Sequence, residues 1–108
     1  MKKVTVGELK TYEAKGHFNM TALKLHEKEI EGKPNYWMGM SHFLPGGGAE
    51  MVQVPMNLVY FVLDGEITVK SPEETIVLKK WDSIHIYPGD KREVINETNL
   101  PATMLVIM

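Results

Sequence analysis

Short apolar runs cut apart by strong turn residues constrain this chain more than any other feature. Pro45-Gly46-Gly47-Gly48, Asp64-Gly65, Ser71-Pro72-Glu73 and Pro88-Gly89-Asp90 punctuate it. Each supplies a fixed φ, a positive φ or a side chain that closes a local turn. The runs between them, residues 20–26, 36–44, 51–54, 58–63, 66–70, 75–78, 83–87, 92–96 and 102–108, include no convincing amphipathic helix. Residues 58–63 are apolar without a break, as in a strand covered on both faces. Residues 66–70 alternate, so Asp64-Gly65 is expected to make a tight hairpin after which the chain pairs back. Residues 27–34 are polar and predict a loop, and the three glycines predict the end of the run before them. Thr5-Val6-Gly7-Glu8 has capping-box spacing and predicts a short helix over residues 6–12, weakened by Gly7. About eight or nine strands at near-regular spacing imply a double-sheet roll or barrel, an all-β fold with few open edges.

The chain has 108 residues, enough for one domain. Its net charge of -2 argues against an electrostatic grip on nucleic acid. With no cysteine there is no disulfide, thiolate ligand or thiol nucleophile. No apolar region follows Lys2-Lys3, and no stretch has the length of a membrane span, so no membrane partner and a cytoplasmic location are expected. The Asn-X-Thr triplets at Asn19 and Asn96 are then not glycan acceptors.

Phe43-Leu44-Pro45-Gly46-Gly47-Gly48, Tyr60-Phe61-Val62-Leu63-Asp64-Gly65-Glu66 and Ile84-His85-Ile86-Tyr87-Pro88-Gly89 together resemble the small single-domain cupins of the RmlC-like superfamily. The resemblance covers residues 36–108. It implies a cupin-type double-stranded β-helix, a jelly-roll barrel, with a short N-terminal helix or extension. It also implies a single domain over residues 1–108 with its barrel core at about 36–108, and a homodimer.

Two short motifs carry the family's metal ligands. Gly46 and Gly65 fit the outer glycines of the first, and Gly89 and Asn96 fit the second. The ligand positions then fall on Val52, Val54, Leu58 and Arg92; a one-residue slide moves the first two to Met51 and Gln53. The second motif's first glycine is Trp81, and its proline is displaced to Pro88. Valine and leucine offer a divalent ion no donor, and arginine repels it. No metal and no cofactor are therefore expected.

Arg92, at a ligand position, is the first candidate for binding: its guanidinium would hold a carboxylate in the barrel mouth. An ordinary ion pair with a nearby carboxylate is the alternative. Tyr60 shares strand parity with Leu58 and would face the pocket, as a donor or weak acid or as plain barrel filling. Gln53, Met51, Leu58 and Asn96 complete the substrate-binding candidates. His42 and His85, with Tyr60, are the candidates for proton transfer; His17 and His26 stand apart in sequence. Met38, Met40, Met51 and Met56 read as core filling or as an adaptable lining.

The leading functional reading is a metal-free pocket for a small anionic or carbonyl compound, with isomerase or lyase chemistry by proton transfer. Two other readings stay open: a non-catalytic sensor or dimeric assembly domain, and a metalloenzyme with an atypical site built from two histidines and Glu50 or Glu93.

Overall fold

The computed structural model describes residues 1–30 and 32–108. A single 3₁₀ turn, Val6–Glu8, precedes nine strands: β1 Thr11–Tyr12, β2 His17–Ile30, β3 Lys33–Gln53, β4 Leu58–Asp64, β5 Ile67–Lys70, β6 Thr75–Leu78, β7 Ser83–Ile86, β8 Lys91–Ile95 and β9 Ala102–Ile107. No described helix is long and apolar enough to cross a membrane.

The strand order is β6-β5-β8-β3-β9-β4-β7, with β2 lying along the other edge of β3 and β1 on β2. Every pairing is antiparallel. The long β3 is the spine of the fold. Its first half, Met38 to Phe43, pairs with β9; its second half, Gly48 to Gln53, pairs with β8. The strand thus belongs to two facing layers, and the barrel is nearly closed, with β6 and β7 at the seam. The jelly-roll expected from the turn pattern is the fold observed.

Four local readings are corrected. The helix expected over residues 6–12 stops after one turn: no residue of that turn is buried, so no apolar face holds it, although the Glu8 carboxylate does accept the Thr5 N–H at 2.8 Å. The loop expected over residues 27–34 is a hairpin in which β2 and β3 stay paired from Glu27↔Trp37 to Ile30↔Lys33, with Glu31 outside the described residues. Backbone hydrogen bonds hold it regardless of side-chain polarity. Pro45 to Gly48 does not end a strand: β3 continues unbroken as it bends from one layer to the other, and Gly47 and Gly48 let the backbones of Asn19 and Val94 come close where a side chain would collide. Asp64-Gly65 does not close a hairpin either. β4 pairs with β7 and β9 while β5 pairs with β6 and β8, so this turn carries the chain from one layer to the other.

The core lies between the layers. Phe43, Val62, Ile67, Val94, Ala102 and Met104 are at most 1% exposed. β4 reads alternately buried and half-buried until its last residue, as an unbroken apolar run should when both faces are covered. Trp81, in the first-glycine position of the second motif, has φ 74 with its ring largely in solvent. That backbone region disfavours side chains by about 1–2 kcal/mol. Trp81→Gly is therefore expected to stabilise the fold by about 0.5–1 kcal/mol after the unfolded-state entropy of glycine is subtracted. Urea denaturation checks this; a clear loss of stability would mean that the ring's contacts with Phe61 and Lys80 outweigh the strain.

Candidate functional site

A chamber of about 170 Å³ lies between the layers. Val52 and Arg92 are cross-strand partners and therefore share a face; Val54 follows two residues on, and Leu58 and Tyr60 descend β4 with the same parity. All five line the chamber. The four ligand positions read from the motifs thus converge on one cavity in the register that uses Val52 and Val54. They do not fit a divalent ion, since hydrocarbon has no lone pair and a guanidinium stays charged. Among the described residues no group of three His, Cys, Asp or Glu side chains is placed to hold one elsewhere.

Arg92 is 9% exposed. Its Nε donates to the Tyr60 hydroxyl at 2.8 Å, and Nη1 donates to the Glu50 carbonyl at 2.9 Å. That carbonyl is available because the β3–β8 register slips between Ala49 and Val52, a bulge that frees backbone groups from the ladder. The ion pairs among the described residues are Lys24–Glu27 and Lys70–Glu97, so Arg92 has no carboxylate partner among them. Nη2 has no partner there either, yet no solvent-sealed side-chain nitrogen among the described residues is unsatisfied, so Nη2 keeps some contact with solvent.

Tyr60 is 3% exposed, and its hydroxyl accepts from Arg92, which leaves its own proton free to donate. Burial pushes its pKa above the ordinary 10.0, while the Arg92 charge and hydrogen bond pull the other way. A folded-state pKa above the unfolded one means that the folded chain holds the proton more tightly. The stability this contributes is complete below pH 10 and is lost as pH rises beyond it toward the folded pKa. Tyr60→Phe is expected to flatten the alkaline limb of the stability–pH curve, measured by urea denaturation at stepped pH; an unchanged limb would contradict this.

The mouth is marked by exposed lining residues, Tyr12, Val52, Met56 and Met108. The Trp37 ring closes one side. It lies over Gly39, where a Cβ would come within 2.6 Å of the ring, and it meets Tyr12 edge-on at 5.9 Å. The chamber wall therefore begins at Tyr12, well before residue 36. Tyr12, His17, Trp37 and Ser41 belong to it although no local motif singled them out. Tyr12 and His17 reach it through the pairing of β1 with β2 and of β2 with β3, while Trp37 and Ser41 stand on β3 itself.

The other candidates stand elsewhere. Met51 and Gln53 have the parity opposite to Val52 and Val54 and are exposed; Gln53 Nε2 donates to the Gly89 carbonyl at 3.2 Å. Asn96 is fully buried and ties loops together, donating to the carbonyls of Phe43 and Leu100 and accepting from Thr98. His42 is hydrogen-bonded to the Thr103 hydroxyl at 2.9 Å on the strand face opposite Ser41 and Phe43. His85 alternates with Ile84 and Ile86, bonds Asn57 at 3.0 Å and stacks on Tyr87 at 4.2 Å. It lines a second cavity of about 320 Å³ near the seam, edged by Glu73, Glu74, Asp90 and Lys91, which Arg92 also borders.

Comparison with known proteins agrees with this geometry. The cupin domain family model matches residues 39–108. The chain is 33% identical over 106 residues, 98% of its length and 91% of the relative's, to the Mycobacterium tuberculosis protein named beta-D-galactosidase Rv1717. Its fold matches the polyketide cyclase RemF from Streptomyces resistomycificus at TM-score 0.83 with 18% identity, over 99% of this chain and 78% of that one. It also matches the Schizosaccharomyces pombe Cnp3 cupin domain at TM-score 0.78 with 14% identity, over 97% and 71%. The nearly closed jelly-roll, the family match and the full-length relative lead to one conclusion: the chain belongs to the cupin domain family.

Proposed function

We propose that this cupin-domain protein binds a small carboxylate, or another anionic carbonyl compound, in a metal-free barrel chamber anchored by Arg92. One observation carries the reading: a guanidinium only 9% exposed, lining the chamber, with no carboxylate partner among the described residues and with Nη2 left without a hydrogen-bond partner among them. An uncompensated buried charge is costly, and an entering anion offsets that cost through charge-assisted hydrogen bonds. The Tyr60 hydroxyl adds a second donor beside it. Donors arranged in this way also favour the oxyanion that develops when a proton leaves the carbon next to a carbonyl, which is the isomerase or lyase type of step.

The chamber sets the ligand's size. An apolar cavity of about 150 Å³ holds one benzene ring, so a ring or a short chain bearing one carboxylate suits about 170 Å³. Benzoate is the natural probe. At constant ionic strength it is expected to raise the melting temperature in proportion to occupancy, and the uncharged benzyl alcohol is not. Equal shifts from both, or none, would reject the reading.

The name of the mycobacterial relative suggests a galactoside as a second reading. Glycoside hydrolysis ordinarily needs a pair of Asp or Glu side chains, and among the described residues no carboxylate lines this chamber. Methyl β-galactoside in the same melting assay separates the two: a shift larger than that from benzoate would favour the sugar. A cytoplasmic homodimer belongs to the proposal by family resemblance, and sedimentation equilibrium giving monomer alone would remove the dimer from it.

A further inference from the structure

Besides the Tyr12 phenol at the mouth, the chamber contains one ionisable side chain that anion binding does not use. His17 opens β2, pairs with Ala49 and lines the cavity half-buried. Its Nδ1 lies 2.9 Å from the Lys15 carbonyl. A carbonyl only accepts, so Nδ1 carries the hydrogen, and in the neutral ring Nε2 keeps its lone pair on the side turned from Lys15. The Lys15 contact thus selects the neutral tautomer whose free acceptor is Nε2.

It is also close to the anion anchor. The Glu50 peptide group joins the two: its N–H donates to the Gly16 carbonyl at 2.9 Å, next to His17, and its carbonyl takes the Arg92 Nη1 hydrogen at 2.9 Å. His17 and Arg92 lie on strands separated only by β3; His17 aligns through Ala49 with Val94, two residues from Arg92, so the usual strand spacing and rise put their backbones about 12 Å apart. Both side chains border one cavity of about 170 Å³, so a ring-sized molecule reaches both.

We infer that the ligand of this site is a small carboxylate that also carries a hydroxyl or N–H, with the carboxylate on Arg92 and Tyr60 and the hydroxyl donating to His17 Nε2. This rests on the anion-binding reading and adds the ligand's second functional group. Ser41 is the rival acceptor inside the chamber and Tyr12 the one at its mouth, since both line it and neither hydroxyl bonds to another described side chain.

The test compares benzoate with 2-, 3- and 4-hydroxybenzoate by titration calorimetry on the wild type, His17→Phe and Ser41→Ala. The readout is the ratio of hydroxybenzoate to benzoate affinity within each protein, so a general weakening of a variant cancels. In the wild type one isomer is expected to bind about five- to tenfold more tightly than benzoate, the worth of a single added hydrogen bond. That ratio is expected to fall to about one in His17→Phe and to survive in Ser41→Ala. A ratio that survives in His17→Phe, one that collapses in Ser41→Ala instead, or no isomer better than benzoate would each overturn the inference and leave anion binding standing. Benzoate that fails to bind the wild type at all would bring down the anion site itself, and this inference with it.

Discussion

Arg92→Met is expected to weaken benzoate binding at least about thirtyfold while leaving the stability of the free protein within about 1 kcal/mol of wild type. The first number follows from truncating one partner of a buried, hydrogen-bonded charge pair, which costs about 2–5 kcal/mol. The second follows from opposing effects at one side chain. Methionine removes the desolvation cost of an unpaired guanidinium, and replacing buried charge by hydrocarbon of similar volume is often neutral or stabilising. It also leaves the Tyr60 hydroxyl and the Glu50 carbonyl without their donor, at about 1–3 kcal/mol each where water cannot reach them. Tyr60 adjoins the open chamber, so water recovers part of its share. Arg92→Lys keeps the charge but loses the planar fork, and it is expected to bind with an intermediate affinity. Calorimetric titration beside urea denaturation measures both quantities. A methionine variant that binds benzoate as the wild type does would show that the chamber's charge is not the anchor.

Gly48→Ala is expected to cost about 3 kcal/mol or more in folding stability. A Cβ there would run into the Val94 carbonyl oxygen and come within 2.9 Å of the Val94 carbonyl carbon and 3.0 Å of Ile95 Cα. All three are backbone atoms of the neighbouring β8, which cannot rotate aside as a side chain would. Gly48 pairs with Ile95 where β3 leaves one layer for the other, so displacing β8 also moves Arg92. Gly7→Ala is the control: nothing lies within 4 Å of its added Cβ, and it is expected to change stability by no more than about 0.5 kcal/mol. Similar denaturation midpoints for the two variants would mean that the close crossing at Gly48 is not what fixes the bend.

The same bend marks the limit of what local pattern reveals. Turn residues and alternation located β4 to β9 within a residue or two, because φ preference and side-chain parity act over a few residues. The convergence of Val52, Val54, Leu58 and Arg92 was legible for the same reason: two glycine-anchored spacings fix parity on two strands that happen to pair. What escaped depends on contacts distant in sequence. Three glycines read as a break, yet β2 and β8 grip β3 on either side and hold it continuous. Asp64-Gly65 has hairpin chemistry, but the partners of β4 are β7 and β9, both distant in sequence, and not β5. His42 and His85 attracted notice for their chemistry, while the parity of their neighbours sets them on other surfaces. His17 had no motif around it, and only its pairing with Ala49 carries it to the chamber.

The most direct measurement is the nitrogen NMR spectrum of the Arg92 guanidinium, in protein labelled at arginine, as benzoate is added. If the anion docks on this side chain, the Nη resonances shift with the calorimetric occupancy and their hydrogens become protected from exchange. Benzoate that binds by calorimetry while the Arg92 guanidinium signals stay where they were would place the anion elsewhere and leave the buried charge without a purpose.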